Sequence, residues 1–244
     1  MTSPTAPLIS VEAVQYAPGG VDVLRDVSLQ SDARRIGIVG RNGSGKTSLA
    51  RVIAGLVAPD AGKVRLAGID VARDRKAALG IVGILFQNPD HQIIFPTVEE
   101  EIGFGLRQLG QSKAEAARGV AAILARFDKG HWAQAAIHQL SQGQRQLVCL
   151  MAVLAMQPRV IILDEPFAGL DIPTAMHLAR VLDGVEAVLI HITHDPAVLR
   201  GYDHVLWLEQ GRVVEQGRPD SVLRAFSHRM QKLGADDDLS DLAG

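Results

Sequence analysis

Four groups of residues have the types and spacing of phosphate chemistry, and they follow one another along the chain. The first is Gly40-Arg41-Asn42-Gly43-Ser44-Gly45-Lys46-Thr47, continued by Ser48. Its glycines let successive backbone N–H groups curl around an anion. Lys46 supplies a cation for phosphate oxygens, and Thr47 supplies a hard oxygen for a divalent ion. The second is Leu140-Ser141-Gln142-Gly143-Gln144. A serine followed three residues later by glutamine is a capping box. Glycine in that first turn leaves a helix N-terminus open to an anion. The third, Val160-Ile161-Ile162-Leu163-Asp164-Glu165, is an apolar run closed by two carboxylates. Asp164 suits Mg²⁺, held through water, and Glu165 suits the polarising of an attacking water. The fourth is His194, which closes a later apolar run. Taken singly, these are a glycine turn, a capped helix, an ion-paired strand end and a structural histidine. Taken in order, they describe one phosphate cradle with a lysine and a second anion site that makes sense only against phosphates held by another copy.

Each group needs an element to position it. Ile36-Gly37-Ile38-Val39 reads as a short strand running into the glycine loop, and Thr47 to Gly55 as a helix ended by glycine. Val160 to Leu163 and Ala187 to Ile190 are unbroken apolar runs, the pattern of parallel strands buried on both faces. Ile9 to Val14 alternates and reads as a half-exposed strand, followed by Val23 to Leu29 and Lys63 to Ala67. From about residue 90 to 157 the composition turns helical, with helices over Ala114–Phe127 and Gln144–Met156 stopped by Pro158. Val205–Leu208 and Arg212–Glu215 flank Gln210-Gly211 as a hairpin, and Pro219 opens a last helix. Residues 1–7 form a loose lead, and Asp236 to Asp241 a solvated acidic end.

Composition excludes several classes. Among 244 residues, Lys+Arg 25 against Asp+Glu 27 leaves a net charge of −2, without the basic excess of a nucleic-acid binder. The one cysteine, Cys149, excludes an intrachain disulfide and a cysteine zinc cluster, and its apolar run makes it inert packing. The N-terminal residues lack a basic region followed by an apolar stretch, so they do not read as a secretory signal. The longest apolar run, Leu147–Met156, is about half of the ~20 residues that span a bilayer. The expected place is therefore the cytoplasm, with any membrane role exercised through a partner.

The ordered set resembles the nucleotide-binding subunit of ATP-binding cassette (ABC) proteins over about residues 8–225. The resemblance implies an α/β fold: a P-loop NTPase (RecA-like) core with a mostly parallel sheet, an N-terminal antiparallel β subdomain and a helical subdomain. The expected division is one ABC ATPase domain. Residues 8–88 and 158–225 form its core, 89–157 the helical part with the signature motif, and 226–244 a tail. ATP and Mg²⁺ are the implied cofactors. By resemblance, Tyr16 stacks on adenine, Gly40, Asn42, Gly43, Ser44, Gly45, Lys46, Thr47 and Ser48 hold phosphates, and Gln87 is the lid residue sensing Mg²⁺ and the γ-phosphate. Thr47, Gln87 and Asp164 are the implied metal contacts; Lys46, Gln87, Glu165 and His194 are the implied catalytic set. Ser141, Gly143 and Gln144 complete the ATP site of a facing copy, and Asp171 speaks across that dimer. Gln142 stands where the commonest family form has glycine, with the phosphate-contacting positions Ser141 and Gly143 kept. One chain carrying every half-site element favours a homodimer.

The stretch from Phe86 through Asp90, Gln92, Thr97 and Glu101 to Gly105 strongly resembles the segment after the lid glutamine in ATPases of energy-coupling factor (ECF) importers. There a short helix with the Asp-x-Gln pattern lines the groove for a transmembrane coupling subunit, and a separate membrane subunit binds the cargo. This implies a peripheral place on the cytoplasmic face of the plasma membrane, and Asp90 and Gln92 are expected to cap or line the groove. The bland alternative is a polar turn around Pro89. Cargo is bound by another chain; of the family's cargoes the expected order is cobalt, then biotin. The competing class is a soluble ABC ATPase that moves no solute, as in iron–sulfur cluster assembly. A P-loop kinase would not need Leu140–Gln144. The spacing leaves no room for the long coiled coil of DNA-repair relatives, and a single cassette excludes the two-cassette translation factors.

Overall fold

The computed structural model describes residues 7–235. Of the expected lead only Pro7 lies within them, and the acidic end Asp236–Asp241 lies outside. In chain order the elements begin with β1 (Ile9–Tyr16), β2 (Leu24–Ser31), β3 (Arg35–Val39), α1 (Lys46–Ile53), β4 (Ala61–Leu66) and β5 (Ile69–Asp70). They continue with α2 (Arg75–Leu79), β6 (Val82–Leu85), α3 (Val98–Gln108), α4 (Lys113–Arg126), α5 (Gln142–Ala155) and β7 (Val160–Asp164). The last are α6 (Ile172–Asp183), β8 (Val188–Thr193), β9 (His204–Glu209), β10 (Arg212–Gly217) and α7 (Pro219–Ala235). These described residues form two compact units, 7–78 with 188–235, and 79–187.

In the first unit, β1 is flanked by antiparallel partners in a sheet of order β2-β1-β4-β5. Beside it in the same unit, β3 runs parallel to both β8 and β9, and β10 pairs antiparallel with β9. Ile36, Ile38 and Val39 of β3 and Ile190 and Ile192 of β8 are fully buried, as unbroken apolar runs require. The β9–β10 hairpin turns on Gln210 (φ 47) and Gly211 (φ 73), two successive positive-φ residues of the type that suits strand twist. α7 lays Val222, Leu223 and Phe226 against Val39, Leu199 and Trp207, with the Trp207 and Phe226 rings edge-to-face at 5.6 Å. Each such burial is worth about 1.5–3 kcal/mol. The last helix opens at Pro219 as expected, and it takes in residues 226–235 of the stretch assigned to a tail, because Phe226 is needed in this core.

In the second unit, β6 and β7 are parallel partners, Leu85 opposite Leu163. α5 is the buried centre of the helical part, with Leu147, Val148, Cys149, Leu150 and Met151 at or near zero exposure. α3 and α4 pack against it through Ile102, Leu106, Ile123 and Leu124. Burial pushes the Cys149 thiol up to about 12, so the thiolate is suppressed and the residue is inert packing, as its sequence context predicts. α3 has no clear signal in the sequence. Gly103 and Gly105 look like breakers, yet Gly105 is where a Cβ would stand 2.6 Å from Met156 Sδ, so glycine is what lets α3 approach the end of α5. Among the described residues no helix is long and apolar enough to cross a membrane.

Candidate functional site

The phosphate loop of the first unit is shaped by contacts that leave no room for side chains. A Cβ on Gly40 would lie 2.2 Å from the Leu208 carbonyl oxygen. Gly43 (φ 78) and Gly45 (φ 98) occupy left-handed backbone, where L side chains are strained. The loop folds on itself through Ser44 N donating to Arg41 O at 3.2 Å. The β9–β10 hairpin holds it from outside: Gly211 N donates to Ser44 O at 3.0 Å, and Arg41 pairs with Glu209 at 3.6 Å. These hairpin supports cannot be read from the sequence; only the Gln210-Gly211 turn signal points to their element.

Gly45 is the N-cap of α1 and offers no side-chain cap, so no side chain covers the positive end of the helix. Lys46 is buried, and its Nζ donates to the Gly40 and Arg41 carbonyls at 2.8 Å each. The Ser44 hydroxyl is buried without a hydrogen-bond partner. A buried cation, an orphaned hydroxyl and an uncapped helix start fit the phosphates of a nucleotide. Thr47 follows at the second position of α1. Val39 pairs with Thr193, so Gly40 and His194 leave the carboxyl ends of neighbouring parallel strands side by side. In open α/β sheets that edge is where ligands bind. His194 is exposed there, whereas His191, three residues back, is buried with Nδ1 2.7 Å from Tyr202 Oη and takes a structural role. Tyr16 ends β1, half-buried.

Two further groups lie in the second unit. Gln87 and Glu165 each sit two residues beyond the paired Leu85 and Leu163, at the carboxyl end of the β6–β7 pair. Asp164 is buried, and Glu165 turns off the strand with φ 49, a conformation costly for a side-chain-bearing residue and typical of functional positions. Among the described residues no three His, Cys, Asp or Glu cluster to hold a metal. Magnesium carried on a nucleotide does not need such a cage, since it keeps waters and takes one or two protein oxygens; Thr47 and Asp164 are donors of that kind.

The other group is the start of α5 with the start of α6. Both bonds of the capping box are present: Gln144 N donates to Ser141 Oγ at 3.3 Å, and Ser141 N to Gln144 Oε1 at 2.8 Å. Asp171 caps α6, accepting from Thr174 N at 2.8 Å. That backbone bond, with the Thr174 side chain, holds its carboxyl below the usual range. The two starts touch. A Cβ on Gly143 would lie 2.6 Å from Thr174 Cγ2, and the Gln142 amide lies over Gly169 (φ 72).

The stretch after Gln87 is a turn with its own bonding. Asn88, not Asp90, caps the 3₁₀ turn Pro89–His91, accepting from Asp90 N at 2.9 Å. Asp90 pairs with Arg145, and Gln92 accepts from Phe86 N at 3.2 Å, so Gln92 braces the turn from within. Buried Glu101 accepts from Ile94 N and Phe95 N at 2.9 and 3.0 Å. It thereby presents Ile94, 70% exposed, beside a groove of about 760 Å³ between α3 and α4 lined by Phe95, Phe104, Val120 and Leu124.

The family model of the ABC transporter matches residues 24–168. A biotin transport ATP-binding protein, BioM, of Rhodobacter capsulatus is 50% identical over 225 residues, 92% of this chain and 96% of that protein. A cobalt import ATP-binding protein, CbiO, of the same organism is 36% identical over 226 residues, 89% of this chain and 81% of that protein. The solved structure of cbiO1 from Clostridium perfringens, part of the ABC transporter complex cbiONQ, superposes with a TM-score of 0.75 at 28% identity, covering 94% of this chain and 98% of that one. With its phosphate loop, capped signature helix and carboxylate-ended strand, the chain belongs to the ABC transporter family as an ATP-binding and ATP-hydrolysing subunit.

Proposed function

We propose that this chain is the ATPase of an ECF-type importer. It works as a homodimer on the cytoplasmic face of the membrane, with a transmembrane coupling subunit and a membrane substrate-binding subunit. The observation that supports it most is the 50% identity to a biotin transport ATP-binding protein across 96% of that protein. Sequence suggests cobalt before biotin; the higher identity to the biotin transport protein than to the cobalt import protein supports proposing biotin first instead. None of these three relatives favours the soluble, non-transport alternative.

In this reading Tyr16 stacks on adenine. The N–H groups of Gly40 to Ser48, with Asn42, Gly43, Ser44 and Gly45 between them, wrap the phosphates, and Lys46 exchanges its loop carbonyls for β- and γ-oxygens. Thr47, Asp164 and Gln87 would hold Mg²⁺, which would supply charge neutralisation at the phosphates. Glu165 accepts a proton from the attacking water, and His194 steadies that water and the γ-phosphate. Ser141, Gly143 and Gln144 of the facing copy close over the same phosphate with their helix N-terminus, and Asp171 reaches across. Phosphoryl transfer asks the protein chiefly for placement and charge stabilisation, and these residue types supply both.

The test is to tag the chain, express it in its host, solubilise membranes gently and follow biotin uptake alongside copurification. Transmembrane proteins retained by the wild type and lost in the exposed-surface variant Ile94→Ser/Phe104→Ser, with uptake lost too, are the expected outcome. Retention of soluble partners alone, indifferent to those changes, would sink the importer reading.

A further inference from the structure

We propose that Arg145 is a positioning residue, a strut that fixes the signature end of α5 to the turn after the lid glutamine. The proposal rests on the reading that Ser141–Gln144 acts on ATP held by a facing copy. Arg145 has two engagements on opposite sides. Its Nε lies 3.1 Å from Asp90 Oδ1 on the turn, an ion pair without hydrogen-bond alignment, and its Nη1 donates at 2.8 Å to the carbonyl of Leu140, the residue just before the Ser141 N-cap. The guanidinium thus fixes its direction through the Leu140 carbonyl and holds Asp90 by charge.

The next residue repeats the connection. Gln146, 1% exposed, donates from Nε2 to Phe86 O at 3.0 Å, while Phe86 N donates to Gln92 Oε1. Residues 86–92 are therefore tied to the first turns of α5 at Phe86 and at Asp90. α5 is a continuous helix of 14 residues, so a shift applied near Arg145 is carried to its N-terminus one turn away.

Two features separate this from mere stability. The Asp90 side chain is 60% exposed and that of Arg145 23%, and partly exposed pairs of this kind add little to folding. Moreover, a cavity of about 490 Å³ is lined by Gln87, Asp90, Gln142 and Arg145, leaving room for the pair to rearrange beside both the lid glutamine and the signature. The turn's position thus sets how the capped helix start is presented, and a partner that moves the turn would move the signature.

The experiment uses the purified full-length chain and compares Arg145→Gln, Asp90→Asn and Arg145→Lys with wild type. ATP affinity is read by equilibrium binding of a fluorescent ATP analogue, hydrolysis by kcat and KM, and folding by Tm. The expected result is a fall in kcat of about tenfold for Arg145→Gln and Asp90→Asn, the size of a small misplacement at a reacting centre. Analogue affinity and Tm stay at wild-type values, and Arg145→Lys regains part of the loss. A kcat unchanged in both single variants, or one that falls in step with Tm or analogue affinity, overturns the proposal. A wild-type chain that hydrolyses no ATP defeats the functional reading before any variant is measured, and the proposal falls with it.

Discussion

His191 and His194 stand three residues apart, and their surroundings give them opposite work. His194 is exposed at the strand end, while His191 is buried against Tyr202 and burial pulls its pKa down to about 4. The unfolded histidine titrates near 6.5, so above that pH both states are neutral and the residue adds no pH dependence. Below it the unfolded chain takes up the proton that the folded chain refuses. Stability therefore declines from about pH 6.5 to about pH 4, by roughly 3 kcal/mol, since each pH unit crossed in that window costs about 1.4 kcal/mol. Urea midpoints of the wild type should fall across that window, and those of His191→Gln should fall less by one proton's worth. Equal slopes in the two proteins would remove His191 as the cause. Its place is in the core against Tyr202.

The contact between the starts of α5 and α6 gives a prediction at the scale of elements. Gly143→Ala would press its Cβ on Thr174 Cγ2, at a cost of about 1–3 kcal/mol for overpacking. Adding Thr174→Ser removes that methyl and should return Tm toward wild type. Under the proposed role of Gly143 at a facing phosphate, hydrolysis should stay low in the double variant. Recovery of both together would reduce Gly143 to a packing residue. Here the limits of sequence reading are plain. The Ser141–Gln144 box is legible because its partners are three residues apart, but nothing local shows that Gly143 faces Thr174. The start of α6 carries a legible signal, Asp171 with Pro173 inside the first turn, that a longer-range role for Asp171 overshadows. α3 is hidden because its glycines read as breakers, yet Gly105 is a close-approach site in the packed helix. The strands β3, β7 and β8 read well, since a run buried on both faces needs only its own composition to declare itself.

At the scale of the molecule, one chain carries both a lysine-bearing phosphate loop and a capped helix start. Under the proposed function, the helix start serves a phosphate held by a facing copy, and two copies satisfy both. Glu165→Gln keeps the shape of the side chain at its strained φ and removes the carboxylate that takes the water's proton in the proposed mechanism. With ATP and Mg²⁺ the variant should elute from a sizing column at twice the monomer mass, and without ATP as a monomer. A variant that stays monomeric with ATP would end the homodimer proposal.

The hairpin that braces the phosphate loop has an evolutionary consequence. Gly211 and Glu209 hold residues 41 and 44 across most of the chain's length, while the match to the family model ends at residue 168. The heritable module is thus larger than the segment the family model matches. A gene fusion or recombination breakpoint falling between 168 and 204 would preserve every signature residue up to Glu165 and still deliver a loop without the strand that shapes it. Lineages that reshuffle this cassette must carry its carboxyl-terminal third along with the rest.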